Sequence, residues 1–520
     1  MRVPRLTEEN RRWWLLATMT GSLSMILIDQ TVVSVALPTM QRDLDLSTTG
    51  LQWVINAYLL AIAVFVALGG KLGDLIGNDR IFRIGAIVFV SASALCGFAQ
   101  GEEWIIFSRA LEGIGAAMMT PATGAIVTNA FRPSERGRAM GIYAGISMVF
   151  LALGPLVGGV LTEWISWRAV FFVNLPVGVV MLALAHVTVR RERPQGGRLD
   201  WGGAPLIVVG LACLVLGLMQ SRSWGWGAPP TIALLAAGAI LLPLFVFWEL
   251  RQKDPLVQVR LFANHNFTAD NIVLLAVQFG LMGVSVFGAI WVQDVLGFGP
   301  ITAGLSLLPL TLPLLVIAPR IGALYDRIGP RMPVAAGALA VGVALAWNAV
   351  WLHERSYWWV VPAYILMGAG LACVMTPANT DAMNAAPPRL RGQASGVIQT
   401  MRQVGGTIGI AVMGTIVANV QATQITALLT KEGATSVQVH DLERAIAGGG
   451  GSGGVVPGGV PPETIDGVKE AVTNAISSAY WVAAGVMAVA ALLSYVMLRR
   501  QRAVDAEPDA EGEESFAAIG

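Results

Sequence analysis

The sequence predicts an all-α integral membrane protein: two six-helix bundles separated by a two-helix insert, fourteen transmembrane helices in all. Three observations predict it. Long uncharged apolar runs recur along the chain, Lys and Arg fall on one side of those runs, and one loop motif occurs twice.

The 520 residues are 55% hydrophobic and 13% charged, with a mean hydropathy of +0.64. Soluble domains carry roughly 25% charged residues, so a chain this apolar belongs in lipid. A formal net charge of +1 gives no reason to expect a nucleic-acid partner. Cys96, Cys213 and Cys373 each lie inside an apolar run without metal-ligand spacing. They read as small core residues, and no metal site is expected.

A helix needs about 20 residues to cross a hydrocarbon core of about 30 Å. Such runs lie at 14–37, 50–70, 81–99, 104–129, 138–162, 169–188, 201–220, 230–249, 270–294, 302–325, 332–352, 358–378, 394–419 and 476–498. Backbone groups in lipid must pair within their own segment, so each run is a helix. Short strands of alternating polarity, the mark of a barrel, are not seen. The first run is too long for a signal-peptide core and is read as a retained span. With residues 1–13 in the cytoplasm, connections on that side and the span ends bordering them hold 25 of the 34 Lys and Arg, and those on the other side hold 7. A span wrongly added or lost would invert this bias downstream, and it never inverts. Fourteen spans across the cytoplasmic (inner) membrane, with both termini in the cytoplasm, follow. Trp13, Trp14, Trp53, Trp104, Trp248, Trp358 and Trp359 fall near span ends as an aromatic belt.

Gly70-Lys-Leu-Gly-Asp74-Leu-Ile-Gly77 follows the second span, and Gly322-Ala-Leu-Tyr-Asp326-Arg-Ile-Gly329 follows the tenth. Both read G-x-L-x-D-x-x-G, eight helices apart. The economical division is a first bundle at 14–190, an insert with its flanking loops at 191–265, and a second bundle at 266–498. Parallel repeats of this kind place a substrate site between the halves. The outer loop 420–475, with Gly448-Gly-Gly-Gly-Ser-Gly-Gly454, is expected to be largely flexible, with 463–475 an amphipathic lead-in to the last span. The tail 499–520 is expected to be disordered.

Three spans carry unusual residues. The first reads Ile28-Asp29-Gln30-Thr-Val-Val-Ser-Val-Ala-Leu-Pro38. A carboxylate inside a spanning helix costs about 2.5–3.5 kcal/mol on insertion scales, and it persists where it has a partner or a watery cavity. The fourth reads Phe107-Ser-Arg109-Ala-Leu-Glu112-Gly113-Ile-Gly115-Ala-Ala117. Arg109 is always charged and needs a partner. Glu112, one turn on, neutralises it locally, or Asp29 does so across helices. The fifth carries Gly145 and then Gly154-Pro155-Leu-Val-Gly158-Gly159, which weaken its hydrogen-bond ladder and admit a close neighbour.

Together with Trp167-Arg168-Ala-Val-Phe171-Phe-Val-Asn174-Leu-Pro176, these motifs resemble the fourteen-helix drug:proton antiporter branch of the major facilitator superfamily, over about 14–420 and 476–498. The resemblance implies the major facilitator fold and a proton-coupled exporter of small lipophilic or cationic compounds. Asp29 and Arg109 would be the proton-coupling residues. Desolvation favours the neutral acid, which would let Asp29 alternate between charged and neutral states. Gly70, Asp74, Gly77 and Arg80, with Gly322, Asp326 and Gly329, would form a cytoplasmic clamp in which each acid faces a helix N-terminus. Leu75, Asn78 and Asp79 depart from the family's basic pattern, leaving Arg80. Gly145, Gly154, Pro155, Gly158 and Gly159 would be the signature of exporters.

Gln30, Asn56, Gln278, Met282, Trp291, Gln399 and Arg402 are candidate lining of a substrate cavity in which Asp29 supplies a single acid. Arg402 either snorkels to the interface or pairs across the halves. No phosphate-binding loop or catalytic cluster is present, so the chain reads as no enzyme, without cofactor, driven by the proton gradient. Its expected partners are membrane lipids and the transported small molecule. A periplasmic adaptor joins them where the host has an outer membrane, and the chain is expected to act as a monomer. An exporter dedicated to one endogenous metabolite or antibiotic would share every motif. A membrane sensor without transport and a proton-driven importer are the other readings.

Overall fold

The computed structural model describes residues 8–191, 198–431 and 462–499. The tail and the glycine-rich part of the outer loop lie outside the described residues. No strand occurs among those described.

The first bundle comprises α1 (Glu8–Leu44), α2 (Thr48–Ile76), α3 (Asn78–Gly97), α4 (Glu102–Ala130), α5 (Pro133–Trp164) and α6 (Ala169–Thr188). The insert is α7 (Gly203–Trp224) and α8 (Pro229–Glu249). The second bundle comprises α9 (His265–Asp294), α10 (Thr302–Ile328), α11 (Arg331–Trp351), α12 (Tyr357–Asn384), α13 (Arg391–Lys431) and α14 (Pro462–Met497). Among the described residues thirteen helices are long and apolar enough to cross a membrane, or fourteen with the bent α5 taken as one span. Trp13, Trp14, Trp104, Trp248, Trp358 and Trp359 are exposed near helix ends, as an interfacial belt requires.

Local chemistry sets the junctions. Gly77 (φ 101°) and Gly329 (φ 79°) terminate α2 and α10 in a backbone region that other residues rarely enter, and each turns the chain directly into the next helix. In α5, Pro155 offers no N–H to the carbonyl of Leu151 four residues back. Thr31 Oγ1 of α1 donates to that carbonyl instead, at 2.9 Å. The helix bends by 43° between Pro133–Leu151 and Leu156–Trp164.

The outer loop expected over 420–475 is helical at both ends. Helix α13 runs on to Lys431 and α14 begins at Pro462. Their extensions pack on each other through Ile425 and Ala471, and Asn474 Nδ2 donates to Gln424 Oε1 at 3.0 Å. The lead-in expected over 463–475 is the start of α14. The extension of α13 was concealed, because the apolar positions that pair the two helices are too sparse to register as a span.

Helices α2 and α13 pack across the two bundles, as do α5 and α10. The insert helices pack on each other, and α7 also lies against both α2 and α13. The connection after α8 docks on the same seam: Lys71 Nζ donates to the Pro255 carbonyl at 2.6 Å, and Gln258 N to Gln393 Oε1 at 3.0 Å.

Candidate functional site

Three arrangements meet around the bundle interface. The first is a charge cluster inside the first bundle. Arg109 Nη1 lies 2.6 Å from Asp29 Oδ2 and 2.8 Å from Glu112 Oε2, and none of the three is more than 1% exposed. Both partners foreseen for Arg109 are therefore engaged at once. Arg109 Nε donates to the Val54 carbonyl at 3.1 Å, and the guanidinium lies 4.1 Å over the Tyr58 ring. Asn174 Nδ2 donates to Asp29 Oδ1 at 3.1 Å and to Ser93 Oγ at 3.0 Å. One cation between two carboxylates is electrically balanced when the group binds one proton and carries a net negative charge when it does not. Burial makes that difference large.

The second arrangement is a cavity between the bundles. Two chambers, of about 100 Å³ and about 420 Å³, share Gln30, Gln278, Met282, Arg402 and Gln403 as walls. The smaller reaches toward the end that carries the Asp74 and Asp326 loops, the clamp end, past Gly124 and Ser395. The larger extends toward the far end along Asn56, Gln52 and the α7 residues Met219 and Ser223. The insert thus supplies part of a wall, which its position between repeats did not foretell. Helix α9 contains a π-helical turn at Val284–Gly288 beside Met282, a feature that recurs at functional positions.

Of the candidate lining residues, Gln30, Asn56, Gln278, Met282, Gln399 and Arg402 face this cavity. Trp291 does not: it is 1% exposed in the core of the second bundle, where its indole N–H donates to Thr473 Oγ1 at 3.3 Å. A second correction concerns Asp29. Its carboxylate points into the first bundle, and its neighbour Gln30, about 100° further round α1, takes the place on the cavity wall. Among the described residues the cavity walls contain no carboxylate and one cation, Arg402, so the expected single-acid chamber for cationic compounds is not what the side chains build.

The third arrangement closes the clamp end. Asp74 accepts from Gly392 N and Gln393 N, both at 2.8 Å, in the first turn of α13. Asp326 accepts from Gly137 N at 3.1 Å near the start of α5. Each carboxylate meets the positive end of a helix dipole in the opposite bundle. A Cβ on Gly70 would collide with the Gly392 carbonyl, and one on Gly322 with that of Gly137. Arg80 takes no part in this clamp: it is exposed at the start of α3, with no ion pair among the described residues. The buried acid next to it, Asp79, is 3.6 Å from Arg83.

The glycines of α5 face two partners. Gly145 packs on Leu314 and Ala318 of α10, whereas Gly154 and Gly158 pack on Thr31 and Val32 of α1, next to Asp29. Pro155 lies between them in the helix, and Gly159 is buried.

Sequence reading missed two features of the clamp end. Arg136 Nη1 donates to Asn384 Oδ1 at 3.0 Å and Arg391 Nη1 to Asn129 Oδ1 at 2.8 Å, two further links between the bundles. The signal was present: Asn129-Ala-x-x-Pro-x-x-Arg136-Gly137 and Asn384-Ala-x-x-Pro-x-x-Arg391-Gly392 are a second copy-pair. The other is Asp270, fully buried against Asp381, which accepts from Asn266 Nδ2 at 2.9 Å and Tyr325 OH at 3.0 Å. An acid within an apolar run of α9 could have flagged it.

A two-bundle helical fold with a chamber between the bundles, closed by hydrogen bonds at one end, defines a membrane transporter. The family model described as Major Facilitator Superfamily matches residues 19–410, and the chain belongs to that superfamily. Its sequence is 33% identical over 515 residues to the puromycin resistance protein pur8 of Streptomyces alboniger, covering 98% of this chain and 94% of the relative. It is 34% identical to the tetracenomycin C resistance and export protein of Streptomyces glaucescens, over 79% of this chain and 76% of the relative. Against the cephamycin export protein CmcT of Amycolatopsis lactamdurans the identity is 35%, over 75% and 82%. The solved proton:xylose symporter XylE superposes with a TM-score of 0.63 over 98% of this chain and all of that one, at 12% identity, which speaks for the fold.

Proposed function

We propose that this chain exports small molecules across the cytoplasmic membrane in exchange for protons, by alternating access. The observation that carries the reading is the juxtaposition of a cavity bonded shut at the clamp end with a buried charge cluster one residue along α1 from the cavity wall. The positive-charge bias assigns the clamp end to the cytoplasm, which makes this the outward-facing form. The resistance and export relatives support the direction of transport.

In the cycle, a proton entering from outside balances the Asp29–Arg109–Glu112 group. Helix α1 then shifts against the glycine face of α5, the clamp opens, and substrate enters from the cytoplasm as the proton leaves. Proton and substrate occupy different sites, coupled through α1 rather than competing for Asp29. The proton-motive force supplies about 1.4 kcal/mol per pH unit and about 2.3 kcal/mol per charge per 100 mV. The protein acts as a monomer with lipid as its only constant partner.

An efflux panel in a drug-sensitive host tests this. Cells expressing the chain should accumulate less of at least one compound. An uncoupler should abolish the difference, as should Asp29→Asn. Export that persists in the uncoupled cells would remove the proton from the mechanism, and export that persists in the Asp29→Asn variant would remove Asp29 from it. A panel in which a single compound is exported would favour the dedicated exporter over the multidrug one.

A further inference from the structure

Two arginines lie at membrane depth in this fold, and they are treated differently. Arg109 is held between two carboxylates inside a bundle. Arg402, in α13, has no carboxylate partner among the described residues; its Nη1 donates to Gln399 Oε1 at 3.1 Å. Nor can it escape to the interface. It lies eleven residues into α13, about 17 Å along the axis from the clamp end at 1.5 Å per residue, near the middle of a core of about 30 Å. A guanidinium cannot shed its charge, and an uncompensated charge at this depth is costly. That cost is retained at the junction of the two chambers, in walls that contain no acid among the described residues. Beside it, Gln278 Oε1 is buried without a hydrogen-bond partner among the described residues, so its amide also awaits one. Around this polar waist the surfaces are soft and apolar, with Met148, Met375 and Met383 on one side and Val286 and Ile410 on the other.

We infer that the transported molecule is an organic anion. Its single acidic group docks on Arg402, a neighbouring polar group meets Gln278, and its apolar body fills the larger chamber. At about 420 Å³ that chamber is of drug-ligand size. The inference rests on the transport reading above and names its substrate class.

Binding to the purified full-length protein in nanodiscs tests it without requiring transport. Three fluorescent probes share one apolar body: 1-pyrenebutyrate, 1-pyrenebutanol and 1-pyrenebutylamine. Wild-type protein should bind the carboxylate at least tenfold more tightly than the alcohol, and the ammonium most weakly. Arg402→Gln should bring carboxylate and alcohol to parity while leaving alcohol affinity within about twofold, which shows that the chamber is intact. Arg402→Lys should keep most of the preference. Equal or tighter binding of the ammonium, a preference that survives Arg402→Gln, or no binding of any probe up to their solubility would each overturn the proposal. Carboxylate preference without proton-driven uptake of pyrenebutyrate into inverted vesicles would leave the site assignment standing and sink the transport reading instead.

Discussion

Arg109 anchors the first bundle because two acids need it. Its removal would leave Asp29 and Glu112 facing each other at 0% exposure with no cation. Breaking a buried ion pair on one side costs about 3–5 kcal/mol, so Arg109→Leu should lower the melting temperature of the detergent-purified protein severely. Adding Asp29→Asn removes one of the stranded charges, and the double variant should regain much of the loss. A single variant that melts like wild type would show that the cluster carries no structural energy. The residues of this cluster were legible in the sequence, since a charge in a lipid-length run stands out at once. The direction in which Asp29 faces was not. Depth follows from position along a span, but azimuth depends on which neighbours pack where, and one residue separates the buried Asp29 from the cavity-lining Gln30. Arg402 was visible as a cation at span depth, but its want of an acid among the described residues became plain only once the walls were known.

At the scale of an element, α5 shows how a defect in one helix becomes a contact between two. The Leu151 carbonyl, deprived of a partner by Pro155, takes the Thr31 hydroxyl, and Gly154 and Gly158 let α1 come close enough to supply it. Thr31→Val keeps the shape and removes the donor. Interhelical hydrogen bonds in membranes average about 0.6 kcal/mol, with a maximum of about 1.7. The variant should therefore fall by about 1 kcal/mol in unfolding measurements, and Thr31→Ser should not. Equal stability of Thr31→Val and wild type would mean that the carbonyl is satisfied otherwise. The spans themselves were readable, because hydrocarbon thickness imposes length and composition together. The lead-in of α14 was readable over 463–475, but the extension of α13 was not, because beyond the lipid a helix needs only sparse apolar contacts such as Ile425 on Ala471.

For the whole molecule, the decisive feature is that the bundles are tied at one end by links that come in symmetric pairs. Asp74 on α13 is matched by Asp326 on α5, and Arg391 to Asn129 by Arg136 to Asn384. One member of this scheme was legible through the repeated G-x-L-x-D-x-x-G loop. The Asn–Arg members went unread because their two copies straddle helix ends, where the hydropathy pattern breaks. Hydrogen bonds to charged groups contribute about 1.5–3 kcal/mol each, and every 1.4 kcal/mol is tenfold in a conformational equilibrium. Asp74→Asn with Asp326→Asn should therefore shift a large share of molecules to the form open at the clamp end. Spin labels on Arg80→Cys and Arg327→Cys, exposed positions in opposite bundles at that end, would read the change in a background where Cys96, Cys213 and Cys373 are replaced. The unmodified clamp should give one short-distance population, and the double variant a second, longer one that grows as either Arg136 or Arg391 is also removed. A distance distribution unaffected by the double variant would show that the bundles are held by the packing of α2 on α13 and α5 on α10 alone, with the acids contributing nothing to the gate.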